Sequence, residues 1–450
     1  MYDDINNVFN NLISCINPLD RKNLLISLKN TIKKYEMFLY NAIKIDLNKS
    51  EYETYLTEIG LVYEELTYFI KNTIKLSRPK KVRSCIAQIP SKAYIYNEPF
   101  GKVLIISPWN YPIQLALILL VGALAGGNST IIKPSEYTPN TSLVLQKIVD
   151  EALPKNVCQV ILGDKDVSNY LSQLKFDKIF FTGSSNVGKI ICENASKNLV
   201  PVVLELGGKS PVLIFDTKDI NLAAKRLVFA KWLNAGQTCV APDYVFIKKE
   251  YYNDFIKYLE IYINKYINLN IKNNLYPKII TNRHLERLLN LFDKDTVLND
   301  YYLDSENHIL GPVLVKEDNL DSKLMSEEIF GPILPIITID NLDNAISYIK
   351  SKDKPLALYI FSDNKDKTNQ LLQILSYGSA CVNDAVVQIT VPSLPFGGIG
   401  GSGMGNYHGH YSYKAFTHEK SVLVRQKYLD LELRYPPYSK KTTLIKKILK

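Results

Sequence analysis

Apolar residues in the first 75 positions recur every three or four: Val8, Leu12, Cys15 and Ile16, then Leu24, Leu25, Leu28 and Ile32. That period puts one face of a helix into a core, so residues 5–75 are expected to be helical. Arg78-Pro79-Lys80-Lys81 breaks the pattern. Between residues 92 and 97 the period falls to two, with Ala93 and Ile95 set against Tyr94 and Tyr96, which predicts a strand stopped by Pro99-Phe100-Gly101. From Lys102 onward the two periods take turns. Strands are expected at 103–106, 129–132, 157–162, 179–181 and 202–205, and helices at 113–125, 142–153 and 186–197. A second block follows Gly208, with strands at 212–215, 244–247 and 334–339 and helices near 222–233 and 254–266. Short strands alternating with helices predict an α/β fold with a parallel sheet covered on both faces. Residues 268–307 carry little pattern and are expected to be surface structure. After Ile389 the chain turns glycine-rich and ends in one more strand, 421–424. No internal repeat is visible.

The length of 450 residues suits two or three domains at roughly 150 each. With 46 % hydrophobic and 22 % charged residues, the composition is ordinary for a globular protein. The net charge of +9 is scattered, apart from small clusters at 78–83 and 440–450. A nucleic-acid binder concentrates basic residues on one face, so no nucleic-acid partner is expected. Six cysteines without a C-x-x-C pair make neither a disulfide framework nor a zinc site, and His408-Gly-His410 has no accompanying ligands, so no metal is expected. The N-terminus lacks the basic and apolar regions of a secretory signal. The longest apolar run, 113–125, falls short of the ~20 residues that a bilayer requires and reads as a buried helix. Reduced thiols and a cytoplasmic location follow as expectations. The tail 444–450 places apolar and basic residues at helical spacing, a pattern that can touch an anionic membrane, but a solvated tail is the preferred reading.

One cysteine differs from the rest. Cys15, Cys158, Cys192 and Cys381 sit among or beside apolar residues and read as packing, and Cys85 lies in a basic stretch. Cys239 instead lies among small and polar residues, in Asn234-Ala-Gly-Gln-Thr-Cys239-Val-Ala-Pro-Asp-Tyr244, between a helix and a strand. Several strand ends carry companion motifs. Ser107-Pro-Trp-Asn110-Tyr-Pro112 and Lys133-Pro-Ser-Glu136 close two strands, where open α/β sheets bind ligands. Phe181-Thr-Gly183-Ser184-Ser-Asn-Val-Gly188-Lys-Ile190 is a strand, a glycine turn and a helix start, an arrangement that brings backbone N–H groups to a phosphate. It nearly matches a P-loop, but Ile190 stands where that motif needs a hydroxyl for Mg²⁺. Gly398-Ile-Gly-Gly-Ser-Gly403 fits G-x-G-x-x-G only formally, with Pro395 and Phe396 before it, and reads as a turned loop. Glu205 sits between Leu204 and Leu206 at a strand end, surroundings that raise a carboxyl pKa and suit a general base. Glu327-Glu328-Ile-Phe330-Gly-Pro332 places a carboxylate and an aromatic before a Gly-Pro stop.

In this order, over nearly the whole chain, these motifs resemble the aldehyde dehydrogenase superfamily. Leu394-Pro-Phe-Gly-Gly-Ile-Gly, Asn406-Tyr-His-Gly and Arg434-Tyr-Pro-Pro are similar to its class 3 branch of fatty, medium-chain and aromatic aldehyde dehydrogenases. The resemblance implies a Rossmann-type cofactor domain (1–79 and 101–206), an α/β catalytic domain (207–390), a small β bridging arm (80–100 and 391–430) and a tail (431–450). It further implies a homodimer joined through the arm. Cys239 would be the nucleophile, forming a thiohemiacetal and then a thioester. Asn110 and the Cys239 backbone N–H would hold the oxyanion, and Glu205 would activate the hydrolytic water. Lys133 and Glu136 would hold the adenosine ribose, Gly183, Ser184 and Gly188 would lie near the pyrophosphate, and Glu328 with Phe330 would lie at the nicotinamide ribose. A glutamate at position 136 favours NAD, since a 2′-phosphate would meet its charge, although class 3 relatives with this residue also accept NADP. Alternatives are a CoA-acylating enzyme, whose relatives generally lack a residue matching Glu205, and a semialdehyde dehydrogenase, which would need a basic residue in its substrate tunnel.

Overall fold

In the computed structural model the described residues are 2–446, except 16, 86–87, 429, 431–433, 438–441 and 444–445. Strands that are buried at nearly every position belong in the middle of parallel sheets, and two six-stranded sheets use them in that way. The first runs Gly403–Met404, Val202–Leu206, Lys178–Gly183, Lys102–Ile106, Ser129–Lys133 and Cys158–Val160. All neighbours are parallel except Gly403–Met404, which pairs antiparallel with 204–205. The register sets Ile106 beside both Lys133 and Phe181, and Thr182 beside Glu205. Four of the motif-bearing strand ends therefore lie along one edge. Helix Gln114–Gly126 is buried at every residue, as the uniformly apolar run predicts, and stops at Gly127 with φ 95°.

The second sheet is parallel throughout, in the order Val313–Lys316, Ile333–Ile339, Tyr244–Lys248, Pro211–Ile214, Ala357–Phe361 and Ser379–Val382. Three of these strands (313–316, 357–361 and 379–382) were not anticipated. Ala357–Phe361 is buried at all five positions, so it offers no alternation to read, only an apolar run behind Pro355. Helices Lys165–Gln173, Leu342–Ser351 and Lys365–Ile374 were also not anticipated. Each starts at an Asp or Asn whose side chain accepts a backbone N–H: Asp164, Asn341 and Asn364.

The expected N-terminal helices are Tyr2–Asn10, Pro18–Leu47 and Gly60–Leu76. Pro18–Leu47 opens with Asn17 as its cap and Pro18 in the first turn, and it stops at left-handed Asn48. Between Glu51–Thr54 and Gly60–Leu76 lies a π turn, Tyr55–Ile59, that buries three successive residues, Thr57, Glu58 and Ile59. The strand expected at 92–97 extends over Ser91–Pro99 and lies between Lys80–Val82 and Thr417–Arg425 in an antiparallel sheet, with Ile95 opposite Ser421.

The expectation of surface structure for 268–307 is corrected. Tyr276, Ile279, Ile280, Leu285 and Leu288 are buried in the main core. Around residues 278–280 the segment's backbone bonds to scattered partners: the Lys278 carbonyl and Ile280 N–H to the Gln237 side chain, the Lys278 N–H to the Leu47 carbonyl and the Ile279 N–H to the His308 carbonyl. Among the described residues no helix is long and apolar enough to cross a membrane. Apart from Lys446, the tail 444–450 lies outside the described residues.

Candidate active site

Helix Ile220–Trp232 ends in a turn that few sequences can adopt. Asn234 (φ 51°), Ala235 (φ 53°) and Gly236 (φ 74°) are all left-handed, at a cost of about 1–2 kcal/mol for each non-glycine residue. Gly236 is required, because a Cβ there would run into the carbonyl of Gly331. Side chains from distant elements hold the turn. Glu53 accepts the Asn234 N–H at 2.7 Å, and Asn234 Nδ2 donates to the Asn110 carbonyl at 2.8 Å. Gln237 Nε2 donates to the carbonyls of Asn234 (3.1 Å) and Lys278 (3.0 Å), while its Oε1 accepts the Ile280 N–H at 3.1 Å. Thr238 Oγ1 lies 2.6 Å from the Tyr111 hydroxyl. This scaffold presents Cys239, half-buried, at the first turn beyond it.

Asn110 arrives from the end of strand Lys102–Ile106 and is 4 % exposed. Its Nδ2 donates to the Gln237 carbonyl at 3.0 Å, tying it to the cysteine loop two residues before Cys239. Glu205 arrives from the end of Val202–Leu206 and is 2 % exposed, and neither carboxyl oxygen meets hydrogen-bond geometry. Burial raises its pKa to about 8, a shift only partly offset by the Tyr407 and Thr182 hydroxyls. Burial also holds the Cys239 thiol well above its usual value, and the nearby carboxylates of Glu205 and then Glu328 add to this, while the Cys239 and Val240 N–H groups oppose it. Glu328, raised by burial to about 8, packs on Gly207, where a Cβ would overlap its carboxyl. Cys239, Asn110, Glu205 and Glu328 are thus brought together. Phe330 takes φ 47° and meets Trp109 edge-on at 5.5 Å.

The remaining predicted residues lie along the same sheet edge. Lys133 is buried, its Nζ 2.8 Å from the Pro134 carbonyl and 3.5 Å from Glu136, whose side chain is exposed. Gly183 ends its strand, and Ser184 precedes helix Ser185–Ser196 without using its side chain as a cap. Gly188 packs against Leu206 so closely that a Cβ would overlap the leucine methyl.

Sequence reading missed several residues that shape this site. Lys209 pairs with Asp243 and donates to the Leu324 and Glu327 carbonyls at 2.7 and 2.8 Å, and Asp243 accepts the Ile329 N–H at 2.9 Å. This anchors the segment that carries Glu328 and Phe330. Lys209 was visible in Glu205-Leu-Gly-Gly-Lys209, but its partner Asp243 had no local signal. Cys239 also lines a cavity of about 270 Å³ walled by Leu115, Phe229, Val386, Ile389 and Phe396. Tyr407 and His408 belong to the same wall, and burial lowers the His408 imidazole pKa to about 4, which keeps it neutral. The glycine-rich loop before them is turned, as expected. A Cβ at Gly403 would strike the Leu204 carbonyl, so only glycine lets the loop pair beside Glu205.

The profile of the aldehyde dehydrogenase family matches residues 10–422. A Staphylococcus aureus protein, 4,4'-diaponeurosporen-aldehyde dehydrogenase, is 42 % identical over 96 % of this chain and 94 % of its own length. Aldehyde dehydrogenase family 3 member H1 of Arabidopsis thaliana is 39 % identical over 92 % of this chain and 87 % of its own. A solved structure described as the substrate-bound state of Staphylococcus aureus AldH superposes with a TM-score of 0.94 at 41 % identity, covering 96 % of this chain and 95 % of that one. With its sheets, its cysteine turn and its sequence all agreeing, the chain belongs to the class 3-like branch of the aldehyde dehydrogenase family and is an oxidoreductase acting on aldehydes.

Proposed function

We propose that Cys239 is the nucleophile of this oxidation, Asn110 its oxyanion donor and Glu205 the base of its hydrolytic half, with apolar aldehydes as substrates. The observation that carries the reading is Cys239 at the wall of an apolar cavity, with the Asn110 amide on its loop and a partner-poor carboxyl beside it. The Cys239 thiolate adds to the aldehyde carbon, and the carbonyl electrons move onto oxygen. One Asn110 N–H is engaged by the Gln237 carbonyl; the second serves the oxyanion together with the Cys239 backbone N–H, and each such donor is typically worth about 3 kcal/mol.

The family's enzymes use NAD(P), and the chain's residues fit a dinucleotide: a glycine turn before a helix N-terminus, a buried lysine at the next-but-one strand end, and Glu328 lodged on a Cβ-free surface at Gly207. Lys133 and Glu136 would hold its adenosine ribose, Gly183, Ser184 and Gly188 its pyrophosphate, and Glu328 with Phe330 its nicotinamide ribose. The nucleotide held there would supply the acceptor for the hydride of the tetrahedral carbon. Collapse of the oxyanion leaves a thioester on Cys239. The Glu205 carboxylate then takes a proton from water, the hydroxide adds, and the cysteine leaves as the acid forms. The Glu136 carboxylate favours NAD over NADP.

Among the described residues no Lys, Arg, Asp or Glu side chain lines the cavity, which favours an uncharged aliphatic or aromatic aldehyde over a charged semialdehyde. A buried carboxyl at position 205 favours water over CoA as acyl acceptor. We retain 1–79 with 101–206, 207–390, and 80–100 with 391–430 as the functional units. The Thr417–Arg425 sheet edge, with Leu423 and Val424 exposed, is our proposed seat of a homodimer. A cytoplasmic location suits a reaction that needs Cys239 as a free thiol.

Paired variants test the roles. Cys239→Ala is expected to lose turnover while still binding nucleotide. Glu205→Gln is expected to release one equivalent of reduced nucleotide per site and then slow by about 10²-fold or more. Steady turnover by Cys239→Ala, or a Glu205→Gln enzyme without a slow second phase, refutes the assignment.

A further inference from the structure

Behind the Asn110 turn lies a pair of charges with no access to solvent. Lys49 and Glu58 are each fully buried and meet at 2.7 Å. Such a pair returns less than its desolvation costs unless its remaining donors and acceptors are filled. Here the turn itself fills them. The second oxygen of Glu58 accepts the N–H groups of Ile113 (2.8 Å) and Gln114 (3.3 Å), at the start of the buried helix. Lys49 Nζ donates to the Asn110 carbonyl at 3.3 Å and stands 4.3 Å over the Tyr111 ring. The same Asn110 carbonyl takes the Asn234 side chain from the cysteine loop. The backbone of Asn110 is therefore gripped from both sides, which fixes the direction in which its amide leaves the chain.

The elements that deliver the pair are specialised. Lys49 directly follows the left-handed Asn48 that ends a 30-residue helix, and Glu58 lies in the π turn Tyr55–Ile59. A π turn inserts an extra residue, and it is this widening that lets Glu58 point inward between Thr57 and Ile59, both also buried. A pair of apolar side chains would fill the same space at lower desolvation cost. What it could not do is hold one carbonyl and two N–H groups of residues 110–114 in register.

We propose that the Lys49–Glu58 pair is a positioning device for the oxidation, fixing the backbone of Asn110 so that its side-chain amide meets the oxyanion formed at Cys239. The proposal rests on the oxyanion role given to Asn110 above. The test is a mutant cycle read by single-turnover formation of reduced nicotinamide, using Lys49→Met, Asn110→Ala and the double variant. Lys49→Met is expected to slow the single turnover about 10-fold or more, with KM for the aldehyde changed by less than about threefold. In the Asn110→Ala background the same change is expected to cost less than about twofold, because a residue that acts only through Asn110 has nothing left to position. A merely structural role would lower both backgrounds alike. Should Lys49→Met fail to fold, Glu58→Gln, which keeps the shape and one acceptor oxygen, is read in the same cycle. Multiplying effects in the double variant, or an unchanged single turnover in both Lys49→Met and Glu58→Gln, overturns the pair while leaving the oxyanion assignment standing. An unchanged single turnover in Asn110→Ala overturns that assignment and this proposal with it.

Discussion

The buried Glu205 carboxyl imposes a cost that stability measurements can read without any substrate. Its pKa rises from 4.5 to about 8 on folding, because burial disfavours the charged form and neither oxygen has a partner in hydrogen-bond geometry. Below about pH 4.5 the carboxyl is protonated in both folded and unfolded chains and costs nothing. Between about pH 4.5 and 8 the unfolded chain gives up this proton while the folded chain keeps it. Stability therefore falls as pH rises through that window, by about 1.4 kcal/mol per pH unit. The loss is about 1.4 kcal/mol at pH 5.5 and about 4 kcal/mol at pH 8, where it levels off. Glutamine has nearly the same shape and cannot ionise, so Glu205→Gln is expected to gain on the wild type by roughly 3 kcal/mol between those two pH values. Glu328 titrates over the same range but is present in both enzymes, so it cancels from the difference. The assay is urea unfolding of the two proteins at several pH values with no nucleotide present. A difference between them that does not change with pH would falsify the claim that Glu205 is held protonated by burial. The expected outcome is a variant that is more stable and deacylates poorly, because the group that destabilises the fold is the one proposed above as the hydrolytic base.

Gly236→Ala is expected to lose roughly 2–3 kcal/mol of stability and nearly all turnover, since φ 74° and the Gly331 carbonyl leave a methyl no room; differential scanning calorimetry and a steady-state assay check both. Across a series of straight-chain aldehydes, kcat/KM is expected to rise about fourfold per added methylene until the cavity is full, from about 0.8 kcal/mol per buried CH₂. A terminal carboxylate on the same chain is expected to cost at least about 10²-fold, because among the described residues no cation lines the cavity. A flat profile, or a preference for the charged aldehyde, rules out the apolar-substrate reading.

What the sequence reveals of this site follows from where each residue finds its partners. Asn110 and Glu205 stand at the ends of strands whose period is legible, Cys239 follows a legible helix, and these and Glu328 each lie within three residues of Gly or Pro, so local pattern and family resemblance both mark them. Lys49, Glu53 and Glu58 lie inside a helical stretch where a charged residue ordinarily faces water. Nothing in a period of 3.6 announces that a π turn rotates Glu58 inward, or that Glu53 accepts an N–H 181 residues away. Segment 268–307 failed for a related reason. Around residues 278–280 its backbone bonds to the Gln237 side chain and to the Leu47 and His308 carbonyls, partners with no sequence periodicity. The second sheet was half-legible because fully buried strands such as Ala357–Phe361 do not alternate.

On the roles proposed above, the electrostatics of the site would order its two half-reactions. Cys239, Glu205 and Glu328 share a buried region, and negative charge on either carboxyl pushes the thiol further from ionising. Few charges are therefore tolerated there at once. Burial favours the protonated form of Glu205, and a neutral Glu205 lifts the larger of the two Coulombic obstacles to a thiolate at Cys239. Once the sulfur carries an acyl group it can no longer be an anion, and the restriction on Glu205 lifts. Its ionisation is then opposed by burial alone, with Tyr407 and Thr182 already placed to favour the anion. On the roles proposed above, a carboxyl whose neutrality eases acylation would be free to ionise for deacylation. A carboxyl fully paired to a cation would stay ionised throughout and would hinder the proposed first step; among the described residues Glu205 has no such pair.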